Sequence, residues 1–152
     1  MDATADTRIE ELLASAHTIE IATTGGPVSP WLAAAYFAEA GPFVLMLMLE
    51  PGGATVANLR AHPQVAVMLQ HGDAFALFAQ AHGHARVVDD DPDADAAYRR
   101  AISVKAPEGA QLVAIPSLVP VRIEIDRWRL TDVPAGWLPA REVIRPGVAA
   151  GA

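Results

Sequence analysis

Hydrophobic and polar residues alternate with a period of two along much of this chain, a pattern that predicts strands. Thr18-Ile19-Glu20-Ile21-Ala22-Thr23 puts Ile19 and Ile21 on one face. Trp31 to Phe37 and Phe43 to Leu49 are apolar on both faces, which predicts strands covered on both sides. Val65, Val67 and Leu69 alternate again. A long fifth strand is predicted from Ala74 to Val88, apolar or glycine at Phe75, Leu77, Ala79, Ala81, Gly83, Ala85 and Val87 and mixed at the even positions from Phe78 on. A last strand runs from Val119 to about Thr131. In it Val121, Ile123 and Ile125 share one face, but Trp128 and Leu130 appear on the side that Arg122, Glu124 and Asp126 make polar. A switch of parity predicts a β-bulge, or a second buried surface that begins there.

Helices are predicted between these strands. Thr7-Arg8-Ile9-Glu10 has the form of a capping box, so a helix starts near Thr7 and ends between Ser15 and His17, with Ile9, Leu12 and Leu13 as its apolar face. Glu50-Pro51-Gly52-Gly53 turns the chain into a short helix that Pro63 ends. Asp91-Pro92-Asp93 starts another, through Tyr98 to about Ile102. Ser103 to Leu118 reads as irregular or weakly helical, and residues 133–152, rich in Pro, Gly and Ala, as an irregular tail behind one domain over residues 1–132. The fold class is mainly β. Two doubly apolar strands and few helices leave an apolar face to spare, which predicts a homodimer.

Apolar residues make up 52% of the chain and charged residues 19%, a globular composition. The runs Trp31 to Ala38 and Phe43 to Leu49 fall far short of the ~20 residues of a membrane span. Met1 to Asp6 is acidic and polar, unlike a signal peptide, and there is no cysteine; a cytoplasmic protein is expected. The net charge of −7 and scattered basic residues argue against nucleic acid. Ser15, Ser29, Ser103 and Ser117 carry no nucleophile motif, so hydrolysis is not expected and no catalytic acid or base is assigned.

Three clusters carry candidate chemistry. The turn at Gly52-Gly53 presents backbone N–H groups at a helix start, where an anion such as phosphate could sit. His82 and His84, with His71 upstream, have a spacing that can share a metal or touch heme, but no third ligand is evident, and solvated or interface histidines are the better reading. The carboxylates from Asp89 to Asp95 lack the glycine and glutamate of a calcium loop, having Ala94 and Arg100 there, and read as a helix start.

Asn58-Leu59-Arg60-Ala61-His62-Pro63-Gln64-Val65 and Gly83-His84-Ala85-Arg86-Val87-Val88-Asp89-Asp90, in this order after an apolar strand, resemble motifs of the FMN-binding split β-barrel family related to pyridoxamine 5′-phosphate oxidase. The resemblance covers Glu10 to Leu130. It implies a six-stranded antiparallel Greek-key barrel, a homodimer, and flavin sites at the dimer interface with the phosphate near the short helix. It places Gly53, Thr55 and Asn58 near the phosphate, and the strand backbone around Trp31, Leu32 and Ala33 and around Leu47, Met48 and Leu49 near the ring. Trp128 or Trp137 would wall the partner's flavin or pack the dimer. Many members carry Ser or Arg, then Lys, just ahead of the Asn-Leu step. Here Gly53, Ala54 and Thr55 stand there, and no Lys or Arg occurs between Arg8 and Arg60. Phosphate recognition would fall to backbone N–H groups, Thr55, and Arg60, Arg86 or Arg122. The resemblance therefore implies an FMN-dependent oxidoreductase, with a deazaflavin or heme in place of FMN, or a non-enzymatic sensing or storage member, as the other outcomes.

Overall fold

A computed structural model describes residues 4–149; Met1 to Ala3 of the polar N-terminus and residues 150–152 of the tail lie outside the described residues. Helix α1 (Ala5–Ser15) starts one turn earlier than the capping box predicts, because Thr4 is the N-cap and accepts a hydrogen bond from the Thr7 N–H at 3.3 Å. It buries Ile9, Leu12 and Leu13, the expected face. Then follow β1 (Thr18–Thr23), β2 (Trp31–Glu39), β3 (Val44–Leu49), α2 (Ala54–Ala61), β4 (Gln64–Leu69), β5 (Phe78–Val87), α3 (Pro92–Lys105), α4 (Ala110–Val113), β6 (Val119–Asp132) and β7 (Trp137–Ile144). Asp91 caps α3 through the Asp93 N–H at 3.0 Å, as the aspartate run predicts. A 3-10 turn over Pro107–Gly109 and the short α4 occupy the weakly helical stretch.

The strands lie in the order β3-β2-β1-β4-β5-β6-β7, and β6 also pairs with β3. Strands β1 to β6 therefore close a six-stranded antiparallel barrel. Closure removes the unpaired edges an open sheet would leave. The interior is filled by large residues of one strand against small residues of the next. On β5 the inward positions are Ala79, Ala81, Gly83 and Ala85; opposite them on β6 stand Leu130, Trp128, Ile125 and Ile123. This complementarity lets an indole fit inside a narrow barrel at close packing.

The parity switch in β6 is a bulge. His82 pairs with Arg127 and Gly83 with Ile125, so Asp126 is the extra residue, and Trp128 and Leu130 return to the core. At this point a Cβ on Gly83 would lie 2.2 Å from the Glu124 carbonyl oxygen, so only glycine fits.

Two boundaries are corrected. The tail from residue 133 is not irregular throughout: Trp137–Ile144 form β7, paired with the second half of β6, and Trp137 and Val143 join the core. Strand β5 starts at Phe78, because Asp73 accepts from the Phe75 N–H at 2.9 Å and turns the chain before the ladder with β4 begins at Ala79. The spare apolar surface is also smaller than predicted. Tyr98 and Ile102 of α3, with Val113 and Leu118, cover the outer face of β3 at Met48 and of β2 at Ala38. Only the first half of β2 remains open, with Leu32 65% exposed.

Replacing Gly83 by alanine is expected to destabilise the fold by about 3 kcal/mol, because neither backbone at the contact can withdraw without opening the ladder. Urea unfolding should show a lower midpoint with an unchanged slope; a midpoint equal to that of the parent would show that the bulge tolerates a side chain.

A cleft at the start of helix α2

A cleft of about 300 Å³ lies outside the barrel between β2, β3, the start of α2 and the α4 region. That is the lower end of the range for small-molecule sites. The outward residues Ala34 and Tyr36 of β2 and Met48 of β3 form its floor, with Leu49 beside them. Trp31 stands at one end, and Leu112, Val113 and Leu118 make a wall. Trp31 and Leu112 are exposed, an unusual state for large apolar side chains lying together. The ring of Tyr36 is seated on Gly109, where a Cβ would lie 2.8 Å from it. That turn is held by Glu108, which bonds His17; this bond lowers the Glu108 carboxyl below the ordinary carboxylate value. The tie is fully present above the ordinary value and is lost as the pH falls on through the lowered one.

The opposite wall is the turn Glu50 to Thr55. Its backbone N–H groups are partly used within the turn itself. The Gly52 N–H donates to a carboxylate oxygen of Glu50 at 3.1 Å, and the Gly53 N–H donates to the Glu50 carbonyl at 3.2 Å. Thr55 is buried in the first turn of α2 and lines the cleft.

Of the ten residues predicted around a cofactor, five come together here: Trp31, Met48, Leu49, Gly53 and Thr55. The others do not. Leu47 points into the barrel core and Ala33 packs against it. Leu32 faces a separate groove on the outer sheet. Trp128 is fully buried in its own barrel, its Nε1–H donating to the Pro42 carbonyl at 2.6 Å, so it cannot wall a partner's ligand in this arrangement. Asn58 is fully buried as well. Its Nδ2 donates to Thr23 Oγ1 at 3.1 Å and to the Val28 carbonyl at 2.9 Å, and its Oδ1 accepts from the Gly26 N–H at 2.8 Å. Asn58 is thus the pin of the loop that delivers Trp31, not a group facing the cleft. Sequence reasoning missed Leu112 as a cleft residue, and it missed the position of Glu50.

The cleft lining contains no lysine or arginine. The three arginines held in reserve for a phosphate are each paired with a carboxylate: Arg60 with Asp89 at 3.1 Å, Arg86 with Asp90 at 3.7 Å and Arg122 with Glu124 at 3.1 Å. Burial opposes the charge of Arg122, but its bonds to Glu124 and Tyr98 prevail and raise its pKa.

The profile of the pyridoxamine 5′-phosphate oxidase family matches residues 5–132. The chain belongs to that family. The family match spans the closed barrel, both helices that flank the cleft, and all of β6. No curated protein matched the sequence. Among solved structures, a conserved hypothetical protein from Mycobacterium tuberculosis is similar at 23% identity and a TM-score of 0.71, with 100% of this chain and 98% of that chain covered. A heme binding protein from Mycobacterium smegmatis is similar at 15% identity and a TM-score of 0.75, over 95% of this chain and 59% of that one. HutZ, the heme storage protein from Vibrio cholerae, is similar at 17% identity and a TM-score of 0.66, over 81% of this chain and 91% of that one. At these identities the likeness is one of fold. Among the described residues no helix is long and apolar enough to cross a membrane.

For this member of the pyridoxamine 5′-phosphate oxidase family, the apolar and aromatic half of the cleft fits a planar ring. The half at the α2 turn does not fit a phosphate: it offers no cation, and a carboxylate already lies on the Gly52 N–H.

An Asn58→Ala variant tests the pin. It strips partners from the Gly26 N–H and the Val28 carbonyl, and is expected to cost about 3 kcal/mol. Hydrogen exchange should show protection lost over residues 24–30, while the α3 amides keep theirs; uniform loss would mean that Asn58 supports the whole barrel and not the loop.

Proposed function

We propose that this chain is a cytoplasmic, homodimeric redox protein that binds a flavin-type ring in the cleft beside α2. The observation that carries this reading is the grouping of Trp31, Tyr36 and Met48 along one apolar cleft next to a helix start. Aromatic faces and a thioether suit a flat conjugated ring. A bound flavin would supply the hydride or electron transfer. The chain's own part is narrower. Trp31 and Leu112 shield the ring from water, Tyr36 and Met48 fix its plane, and Thr55 offers a hydroxyl. With no cation at the turn, binding rests on the ring, and the flavin is held loosely.

The homodimer rests on the outer face of the sheet. The register aligns Leu32, Ala22, Ala66, His82 and Arg127 in one row across five strands, and Ala34, Glu20, Met68, Gln80 and Arg129 in the next. Most of the first row is small or apolar, and Leu32 is 65% exposed. A second copy covering this face would bury it.

A second reading is favoured by one observation on that face. His82 stands between Ala66 and Arg127 over a floor of small residues, an arrangement suited to a heme with its carboxylates toward arginine. His84 is turned to Asp126 at 3.3 Å. Under this reading the protein stores or senses heme without catalysis.

Absorbance spectra after incubation with flavin or heme and desalting separate the two. The flavin reading expects bands near ~375 and ~450 nm from the bound ring, and a loss of affinity of about tenfold for Trp31→Ala, the value of one well-packed aromatic contact. A Soret band that disappears in His82→Ala, with no flavin retained, would replace it by the heme reading. For the dimer, Leu32→Glu should shift sedimentation from dimer to monomer with the fold intact; a Leu32→Glu dimer would place the interface elsewhere.

A further inference from the structure

Glu50 is the feature of the cleft that the flavin reading leaves unexplained. Its carboxylate lies across the turn that begins α2. One oxygen accepts from the Gly52 N–H at 3.1 Å, and a Cβ on Gly53 would lie 3.1 Å from the other. The side chain lines the same cleft as Trp31 and Thr55. Among the described residues it has no ion-pair partner. The nearest basic residues along the chain are Arg8 and Arg60, and Arg60 is paired with Asp89. An uncompensated negative charge therefore occupies the position that an anionic ligand would need, and it draws on the N–H group that would receive it.

A carboxylate is a hydrogen-bond acceptor only. It repels a phosphate monoester, which is also negative and offers acceptor oxygens. It welcomes hydroxyl groups, which donate. We propose that Glu50 makes this cleft select a ring ligand whose side chain ends in neutral hydroxyl groups over the same ligand carrying a terminal phosphate: riboflavin over FMN. The selection works by repulsion of the competitor as well as by attraction of the preferred ligand. This inference rests on the reading that the cleft holds a flavin-type ring.

The test is a pair of titrations of the full chain, followed by quenching of flavin fluorescence, with riboflavin and with FMN. The parent protein should bind riboflavin about tenfold or more tightly than FMN at low salt. Glu50→Gln keeps an oxygen for the Gly52 N–H and removes the charge. It should bring the two affinities to within about threefold, by tightening FMN while leaving riboflavin nearly unchanged. Raising the salt should improve FMN binding to the parent protein and do little for the variant, because only the parent has a repulsion to screen. An equal unfolding midpoint for the two proteins shows that the turn has survived the change. FMN binding more tightly than riboflavin to the parent, or a preference unchanged in Glu50→Gln, overturns the role of Glu50 while leaving the ring site standing. Binding of neither flavin to either protein overturns the ring site and the selection together.

Discussion

The close pass of Gly83 over the Glu124 carbonyl sets the path of β6, and β6 belongs to nearly every part of the fold. Up to Ile125 it pairs with β3 and closes the barrel; from Arg127 it pairs with β7 instead. Between the two stands Asp126, the bulged residue. The bulge turns Trp128 and Leu130 inward; without it, a strict period of two would send both to the outer face. It also frees the Asp126 carboxylate to hold Arg145 at 2.6 Å and His84 at 3.3 Å, tying the end of β7 and the middle of β5 to the same point. An absent Cβ on one strand thus decides which side chains fill the next one.

The consequences reach the cleft through a chain of contacts. Trp128, seated against Ala81, donates to Pro42 and so holds the turn between β2 and β3. These two strands make the cleft floor. Their outer face is covered by α3 at one end and left open at the other, and the cleft lies at the border between the two. On the far side, Asn58 fixes the loop before β2, and so the place of Trp31. The cleft is therefore built from strand backbone and one pinned loop, with the Glu50 carboxylate on an exposed turn at its edge.

The barrel was legible because its strands alternate or run apolar, and because the parity of β6 breaks where the chain bulges. Strand β7 was not. Only Trp137 and Val143, near its ends, are buried, while Leu138 is 69% exposed beside Pro139, so no two-residue period marks it, and Pro139 with Gly136 just ahead of the strand suggests a loop. The cleft was half legible. In a run such as Val44-Leu45-Met46-Leu47-Met48-Leu49 both faces are apolar, so nothing in the pattern says that Leu47 points to the barrel and Met48 to the cleft; the presence of α3 decides that both are covered. Asn58 carries the opposite lesson. A buried amide with three hydrogen bonds and a ligand-facing amide are the same letter in the sequence, and only the path of the loop from Thr24 to Pro30 distinguishes them.

The residues that hold the barrel and those that line the cleft are different, so the family fold does not fix the charge at the α2 turn. Closure depends on Gly83, Trp128 and the small inward residues of β5, none of which lines the cleft. Charge at the α2 turn depends on Glu50 and on residues 53–55, which lie where the chain enters a helix and, Thr55 apart, are not buried. A substitution at such a turn changes stability little compared with one in the core, but it changes the sign of the field a ligand meets within a few ångströms. The apolar, aromatic face and the turn at the helix start are thus separable parts of one cleft. In this chain the first keeps its aromatic and apolar character, and the second carries a carboxylate where a phosphate would need a cation.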